Sequence, residues 1–548
     1  MDAGLLSPVP PMGLQRCRCN SRGKTCDDRT AASLAWITVQ AARGVDSIVS
    51  RARATKGIDY KWIVLINTTI GVLMSSLDTS ILTISLPDIT RSLNATVAEM
   101  MWVLMGYSLT ITSLLLPISR LADMKGRVHF YNLGFAVFTI ASALCGLSQS
   151  GTQLVLFRLI QGTGAALLFA NGTALVTDAF PSSQRGLALG INAMAATAGF
   201  ILGTVLGGVI TEFFGWRYIF FINLPFGTFA TAWAFWKLHE IVEPERKARF
   251  DIAGMVTFPL GIARVLAGLT FVVMGLAGEP ITDGVFIVAG IMLVVFALGE
   301  LHVEQPMMDF SLFRVRLFWA GNTSLFLNAL GRGSTMFIMS WFFQAVLNDS
   351  PLISALKLLP LPLAMVVFAP LAGRLSDRLG SRWLSTIGLA CTLIAQLLMA
   401  SFPVTASYIM WGIALAILGI GNGLFNSPNM SAVMGSVPPN RRGVAAGMTT
   451  LLFNSGQTTA IATTMVILST VMSYQLLADL FTGTATGRQS INGLAFMHGL
   501  HEVFLVGAVI SVIAIVCSSL RGTEDKAGKP HISAEKISES RTVLSGVR

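Results

Sequence analysis

Charge is what this sequence has least of. Only 12% of its residues are Asp, Glu, Lys or Arg, about half the share in an ordinary soluble domain, so the chain lacks the polar surface needed to face water on every side. Cysteine and histidine are scarce as well, at six each in 548 residues. Cys145, Cys391 and Cys517 lie inside apolar runs. Cys17, Cys19 and Cys26 have no His nearby and a spacing poor for a finger, so neither a disulfide framework nor a metal site is expected. No Gly-x-x-x-x-Gly-Lys-Ser/Thr phosphate loop occurs, which removes the usual signature of nucleotide hydrolysis. No clustered catalytic pair marks an enzyme, and no basic-then-apolar-then-small opening marks a cleavable signal peptide. No cofactor is expected, only a proton gradient as energy source.

What is present is apolar. The chain is 53% hydrophobic with a mean hydropathy of +0.68. About fourteen runs are long enough to cross roughly 30 Å of hydrocarbon, at 62–86, 99–119, 129–148, 154–178, 187–211, 217–238, 253–276, 284–302, 318–346, 354–374, 383–402, 407–434, 444–472 and 500–520. The expected fold class is an all-α membrane protein. The net charge of +10 is spread over short loops and forms no basic stripe, so it reports topology and not nucleic-acid binding. With the N-terminus inside, inner loops hold Arg120, Lys125, Arg127, Arg185, Arg246, Lys247, Arg249, Arg314, Arg316, Arg378, Arg382, Arg441 and Arg442, while outer loops hold little beyond Arg91, Arg217 and Arg488. By the positive-inside rule both termini are cytoplasmic in a cell membrane.

Two motifs recur. Arg120-Leu121-Ala122-Asp123-Met124-Lys125-Gly126-Arg127 returns as Arg374-Leu375-Ser376-Asp377-Arg378-Leu379-Gly380, 254 residues on, and the spacing of Pro181, Arg185, Gly186, Ala188 and Gly190 returns at Pro438, Arg442, Gly443, Ala445 and Gly447, 257 residues on. The chain therefore divides into a tail at 1–56, a six-span half at 57–240, two linker spans within 241–310, a second six-span half at 311–520 and a tail at 521–548. Parallel halves of this kind place a substrate site between them near the midplane. Gly126 and Gly380 permit tight turns, and Arg120, Asp123, Arg127, Arg374 and Asp377 are the expected cytoplasmic gating residues.

Ionisable residues inside spans are costly and are functional candidates by default. Asp78 is the clearest mid-span acid and is a candidate proton carrier, the alternative being a carboxyl permanently paired with an Arg. Arg158 and Gln161 share one helix face. In the second half the corresponding positions are Leu415 and Leu418, which assigns any proton chemistry to the first half. Asn422, Asn426 and Asn429, with Asn454 and Gln457, are either cavity contacts or interhelical bonds. Arg332 lies mid-span in the ninth run, 254 residues beyond Asp78. Its candidate partners are Asp78, an anionic or zwitterionic substrate, or backbone carbonyls. Arg264 lies outside the symmetric core, with lipid headgroups or an unidentified acid as partner.

With these residues in view the chain resembles the major facilitator superfamily, and most of all its fourteen-span drug:proton antiporters (EmrB/QacA-like), over roughly residues 60–520. Leu77-Asp78-Thr79-Ser80 through Leu86-Pro87 is similar to the first-span motif of that family, with Thr83 where Asn is usual. The loop motif matches with Ser119 in place of the leading Gly, Arg158-Leu159-Ile160-Gln161-Gly162-Thr163-Gly164 matches the fourth-span motif, and Asn223-Leu224-Pro225 is typical of this branch. Gly190, Gly199, Gly203, Gly207 and Gly208 match the antiporter motif as packing glycines, with Thr204 where Pro is expected. The resemblance implies a major facilitator fold of two six-helix bundles and two linker helices, working as a monomer. It further implies proton-coupled export of amphipathic or hydrophobic compounds through Asp78, Arg158 and Gln161. The expected partners are a small-molecule substrate, protons and membrane lipids. A transporter of one physiological substrate, such as a lipid, siderophore or amino-acid derivative, is the alternative. A non-transporting sensor would need a signalling domain that neither tail is long enough to hold.

Overall fold

The computed structural model describes residues 59–181, 184–241, 252–302, 308–438, 441–482 and 491–522. Both tails, the loop cations Arg246, Lys247, Arg249 and Arg488, and Cys17, Cys19 and Cys26 lie outside the described residues, as do the side chains of Asp377, Arg378 and Arg442. The described residues are helical without a strand.

The first half consists of α1 (Tyr60–Leu93), α2 (Val97–Lys125), α3 (Arg127–Leu147), α4 (Gly151–Ala179), α5 (Arg185–Phe213) and α6 (Tyr218–Lys237). Polar caps set several starts. Thr96 and Glu99 form a reciprocal capping box on α2, and the Ser150 hydroxyl accepts from the Gln153 N–H on α4, satisfying amides that a helix N-terminus leaves open. The linker pair is α7 (Ile252–Val273) and α8 (Pro280–His302).

The second half begins with a broken span. Where the sequence reads as one helix over 318–346, the chain forms α9 (Arg316–Arg332), a break at Gly333 and Ser334, α10 (Thr335–Trp341) and a π-helical turn over Phe342–Val346. That break is why thirteen continuous helices among the described residues, and not fourteen, are long and apolar enough to span a membrane. Next come α11 (Pro351–Leu358), running on into α12 (Pro360–Leu379), then α13 (Ser381–Ser401), α14 (Tyr408–Gly435), α15 (Arg442–Val471), the short α16 (Tyr474–Thr482) and α17 (Ile491–Ser519).

The repeat is visible in the backbone. Gly126 and Gly380 have φ of 113° and 86°, and each ends one helix and starts the next. Their amides donate to Ala122 O at 2.8 Å and Ser376 O at 2.9 Å. A side chain at either position would strain the turn.

The halves meet in a shared apolar core at the end opposite these loops, where Leu77, Ile81 and Met105 join Phe337, Trp341, Phe342 and Leu358. Polar bonds cross there too. Gln344 Nε2 donates to Ile84 O at 3.0 Å and Ser340 Oγ to Thr83 O at 3.4 Å, while the Leu352 amide donates to Glu212 Oε2 at 3.1 Å. The linker helix α7 packs on both α2 and α15, so it touches both halves.

Candidate functional site

Asp78 occupies the middle of α1 and is fully buried. It sits inside the first half among α3, α4 and α6, and all its bonds are to that half. Its Oδ2 accepts from Arg158 Nη1 at 2.6 Å, and its Oδ1 accepts from Gln161 Nε2 at 2.8 Å and from Asn223 Nδ2 at 3.0 Å. Arg158, itself buried, also donates from Nη1 to Gln161 Oε1 at 2.7 Å and from Nε to Val103 O at 3.3 Å. The Tyr107 ring lies 4.1 Å from its guanidinium carbon. Spacing along α4 put Arg158 and Gln161 on one face, and the fold adds the acid that face was built to meet.

Such a pair is costly to desolvate and is retained only when its remaining lone pairs and protons are bonded. Here they are. The network is a neutral cluster in which one carboxylate balances one guanidinium.

Two members of the cluster went unrecognised in the sequence. Asn223, at the start of the helical run Asn223–Lys237, bridges Asp78 to Ser142 Oγ at 3.1 Å, and Ser142 Oγ donates in turn to Phe220 O at 2.9 Å. Asn223 lay in a quoted motif without a role, and an isolated Ser gives no signal.

The loop motif also gains a partner. Arg127 Nε donates to Asp123 Oδ1 at 2.7 Å, and its Nη1 donates to Asp178 Oδ2, at the end of α4, at 2.6 Å. Arg120 is partly exposed and Arg374 is exposed. Of the five glycines on α5, Gly199, Gly203 and Gly207 face α1 and Gly208 faces α11. Gly190 corrects the packing expectation. It is exposed, and a Cβ built there meets nothing within 4 Å, because the start of α5 has no neighbour on that side. Thr204 Oγ1, in place of the expected Pro, bonds back to Phe200 O at 2.9 Å.

In the second half Asn422 is an interhelical contact. It accepts from Asn328 Nδ2 at 3.4 Å and donates to Leu418 O at 2.9 Å. Asn426, Asn454 and Gln457 are partly exposed, and Gln457 lies against the break in the ninth span, its Oε1 2.8 Å from a Cβ built at Gly333. Arg332 does not pair with Asp78, whose oxygens are taken by Arg158, Gln161 and Asn223, nor does it bond a carbonyl. Its Nε is buried without a partner. Arg264 reaches Leu260 O and Met292 Sδ, each at 3.5 Å, and meets no acid.

Comparison with known proteins agrees with this architecture. The Major Facilitator Superfamily model matches residues 68–461. The chain is 34% identical over 385 residues to the riboflavin transporter RibZ of Clostridioides difficile, covering 70% of this chain and 83% of that one. It is 31% identical over 418 residues to the multidrug resistance protein Stp of Mycobacterium tuberculosis, covering 76% of each. Among solved structures, a bacterial homolog of the human lysosomal transporter Spinster, in an inward-facing and occupied conformation, superimposes with a TM-score of 0.59 at 20% identity, covering 85% of this chain and 97% of that one.

Proposed function

Because the chain belongs to the major facilitator superfamily, and so is a multi-pass membrane transporter and not an enzyme, we propose that it exports amphipathic or hydrophobic compounds in exchange for protons. Its halves would rock about the interface between them, as in the fourteen-span drug:proton antiporters. The observation that carries this reading is the buried cluster of Asp78, Arg158, Gln161 and Asn223, a single carboxylate held at mid-membrane depth by groups from several helices. An acid so placed is the expected proton carrier of a transporter. The loop charges support both termini lying in the cytoplasm of a cell membrane. Every member of the cluster comes from one chain, so a monomer suffices. The polar latch of Gln344, Ser340 and Glu212 then closes the outer end.

The test is flux of a compound panel from proteoliposomes with and without an imposed pH gradient. Uphill flux that follows the gradient and moves protons in the opposite direction is the expected result. Flux indifferent to the gradient removes the proton from the mechanism. A narrower reading, one physiological substrate, is favoured by the likeness to a protein named for riboflavin, and a panel in which one compound alone is transported would establish it.

The loop pair yields a second expectation. Asp123→Asn removes the charge from its ion pair with Arg127 while leaving Asp178 in place. Turnover should fall several-fold with substrate affinity unchanged, since the pair sits at a helix end remote from the midplane. Equilibrium binding measured beside exchange rate checks this, and lost affinity at an unchanged rate contradicts it.

A further inference from the structure

Among the described residues, one cation inside the membrane-spanning region has no bonded partner. Asp78 and Arg158 cancel each other at 2.6 Å. Arg264 belongs to the linker helix α7, outside the two halves. That leaves Arg332, the last residue of α9, one helical turn beyond Asn328. Among the described residues its side chain makes no hydrogen bond and no ion pair, and its Nε is buried with no acceptor. Of the other described acids, Asp88, Asp178, Glu212, Asp309 and Asp349 lie toward helix ends or in loops, and Glu502, inside α17, is exposed and makes no ion pair with Arg332.

The polar groups around Arg332 are neutral. Asn328 and Asn422 bond each other, and Asn328 Oδ1 has no donor of its own. Gln396 of α13 spends its amide on Gly331 O at 2.8 Å and on Ser511 Oγ at 2.7 Å. Gln457 abuts the neighbouring Gly333. A guanidinium withdrawn from water without a counter-charge is strongly unfavourable, and none of the described residues bonds to it. Arg332 is nonetheless partly exposed, beside the break in the ninth span, so a solute can reach it.

We propose that Arg332 is a recognition site for an anionic group, a carboxylate or an equivalent single negative charge, on an amphipathic substrate. Its forked N–H groups suit a planar carboxylate held by two parallel bonds. Arg332 is the charged element of the site, Gln457 lies beside it at Gly333, and substrates whose only charge is positive are disfavoured there. The proposal rests on the transport reading above but not on proton coupling.

The experiment uses the full chain in proteoliposomes with three probes on one scaffold: 2-naphthoate, 2-naphthamide and a naphthylmethyl-trimethylammonium ion. Exchange is measured as counterflow with no pH gradient, so a failure of proton coupling leaves it readable. Wild-type protein should exchange naphthoate fastest. Arg332→Gln should slow naphthoate at least about tenfold, on the scale of one charge-assisted bond, with little change for naphthamide, and Arg332→Lys should fall between. A second readout needs no substrate. Removing an uncompensated buried charge should raise the melting temperature of Arg332→Gln, whereas removing a structurally satisfied Arg lowers it. Equal losses for all three probes, naphthoate exchange no faster than in protein-free vesicles, or a lowered melting temperature would each overturn the assignment.

Discussion

Asp78→Asn protein is expected to lose gradient-driven flux down to the level of protein-free vesicles while still exchanging substrate in counterflow. Asn has the shape of Asp and keeps an acceptor for Asn223, but it neither takes up nor releases a proton. The change also has a structural cost. Arg158 remains fully buried with no carboxylate, and breaking one side of a buried ion pair costs about 3–5 kcal/mol. The melting temperature should therefore fall. Asp78→Asn combined with Arg158→Gln removes both charges, and it should recover much of the stability without recovering coupling. That pairing separates the proton role from the packing role. Undiminished gradient-driven flux in the single variant would sink the first, and an unchanged melting temperature would sink the second.

The second large effect lies one helix away. Gly203→Val should yield little folded protein, because a Cβ at Gly203 sits 2.5 Å from Leu77 O and collides with Ser80 Oγ, both on α1. Helix backbone gives way reluctantly, and overpacking of this kind typically costs about 1–3 kcal/mol and occasionally more. Leu77 precedes Asp78 in sequence, so any protein that survives should have its carboxylate displaced and its coupling impaired. Gly190→Val is the matched control. That position opens onto free space, and the variant should behave as wild type. Monodisperse yield in detergent and thermal melting of the two variants check the contrast. Wild-type stability of Gly203→Val would mean that α1 and α5 do not approach as closely as described.

Much of this was legible in the sequence because membranes leave few solutions. Apolar runs and loop charges gave the spans, and the two Arg-Leu-x-Asp-x-x-Gly motifs gave the repeat, since a turn requiring positive φ demands Gly at 126 and 380. Asp78, Arg158 and Gln161 stood out because charge and amide are expensive there. Their assembly did not stand out. Asp78 and Arg158 are 80 residues apart, and only packing brings them together. Ser142 was invisible for a different reason: single hydroxyls are common in spans and cheap to bury when they bond a nearby carbonyl. The break at Gly333 was missed because apolar composition extends through it. Gly331, Gly333 and Ser334 in close succession were the available signal. Arg332 stood out by its cost, and of its three candidate partners Asp78 and the backbone carbonyls are not bonded to it, so symmetry of position implied no contact.

The linker helix α7 has a consequence for the plane of the bilayer. A two-half molecule has two lateral seams through which a lipid-dissolved solute could slip sideways into the interior. Across one of them, between α2 and α15, α7 lies as a strap, with Phe258 and Phe296 of the linker pair sharing an apolar cluster with Leu116, Ala445 and Met448. Among the described residues the opposite seam, between α5 and α11, has no such cover and is closed by direct contact, where Gly208 meets Leu352 and Ala355 and the Leu352 amide bonds Glu212. The two flanks of the molecule are therefore unlike, one sealed by an added helix and the other by the halves themselves.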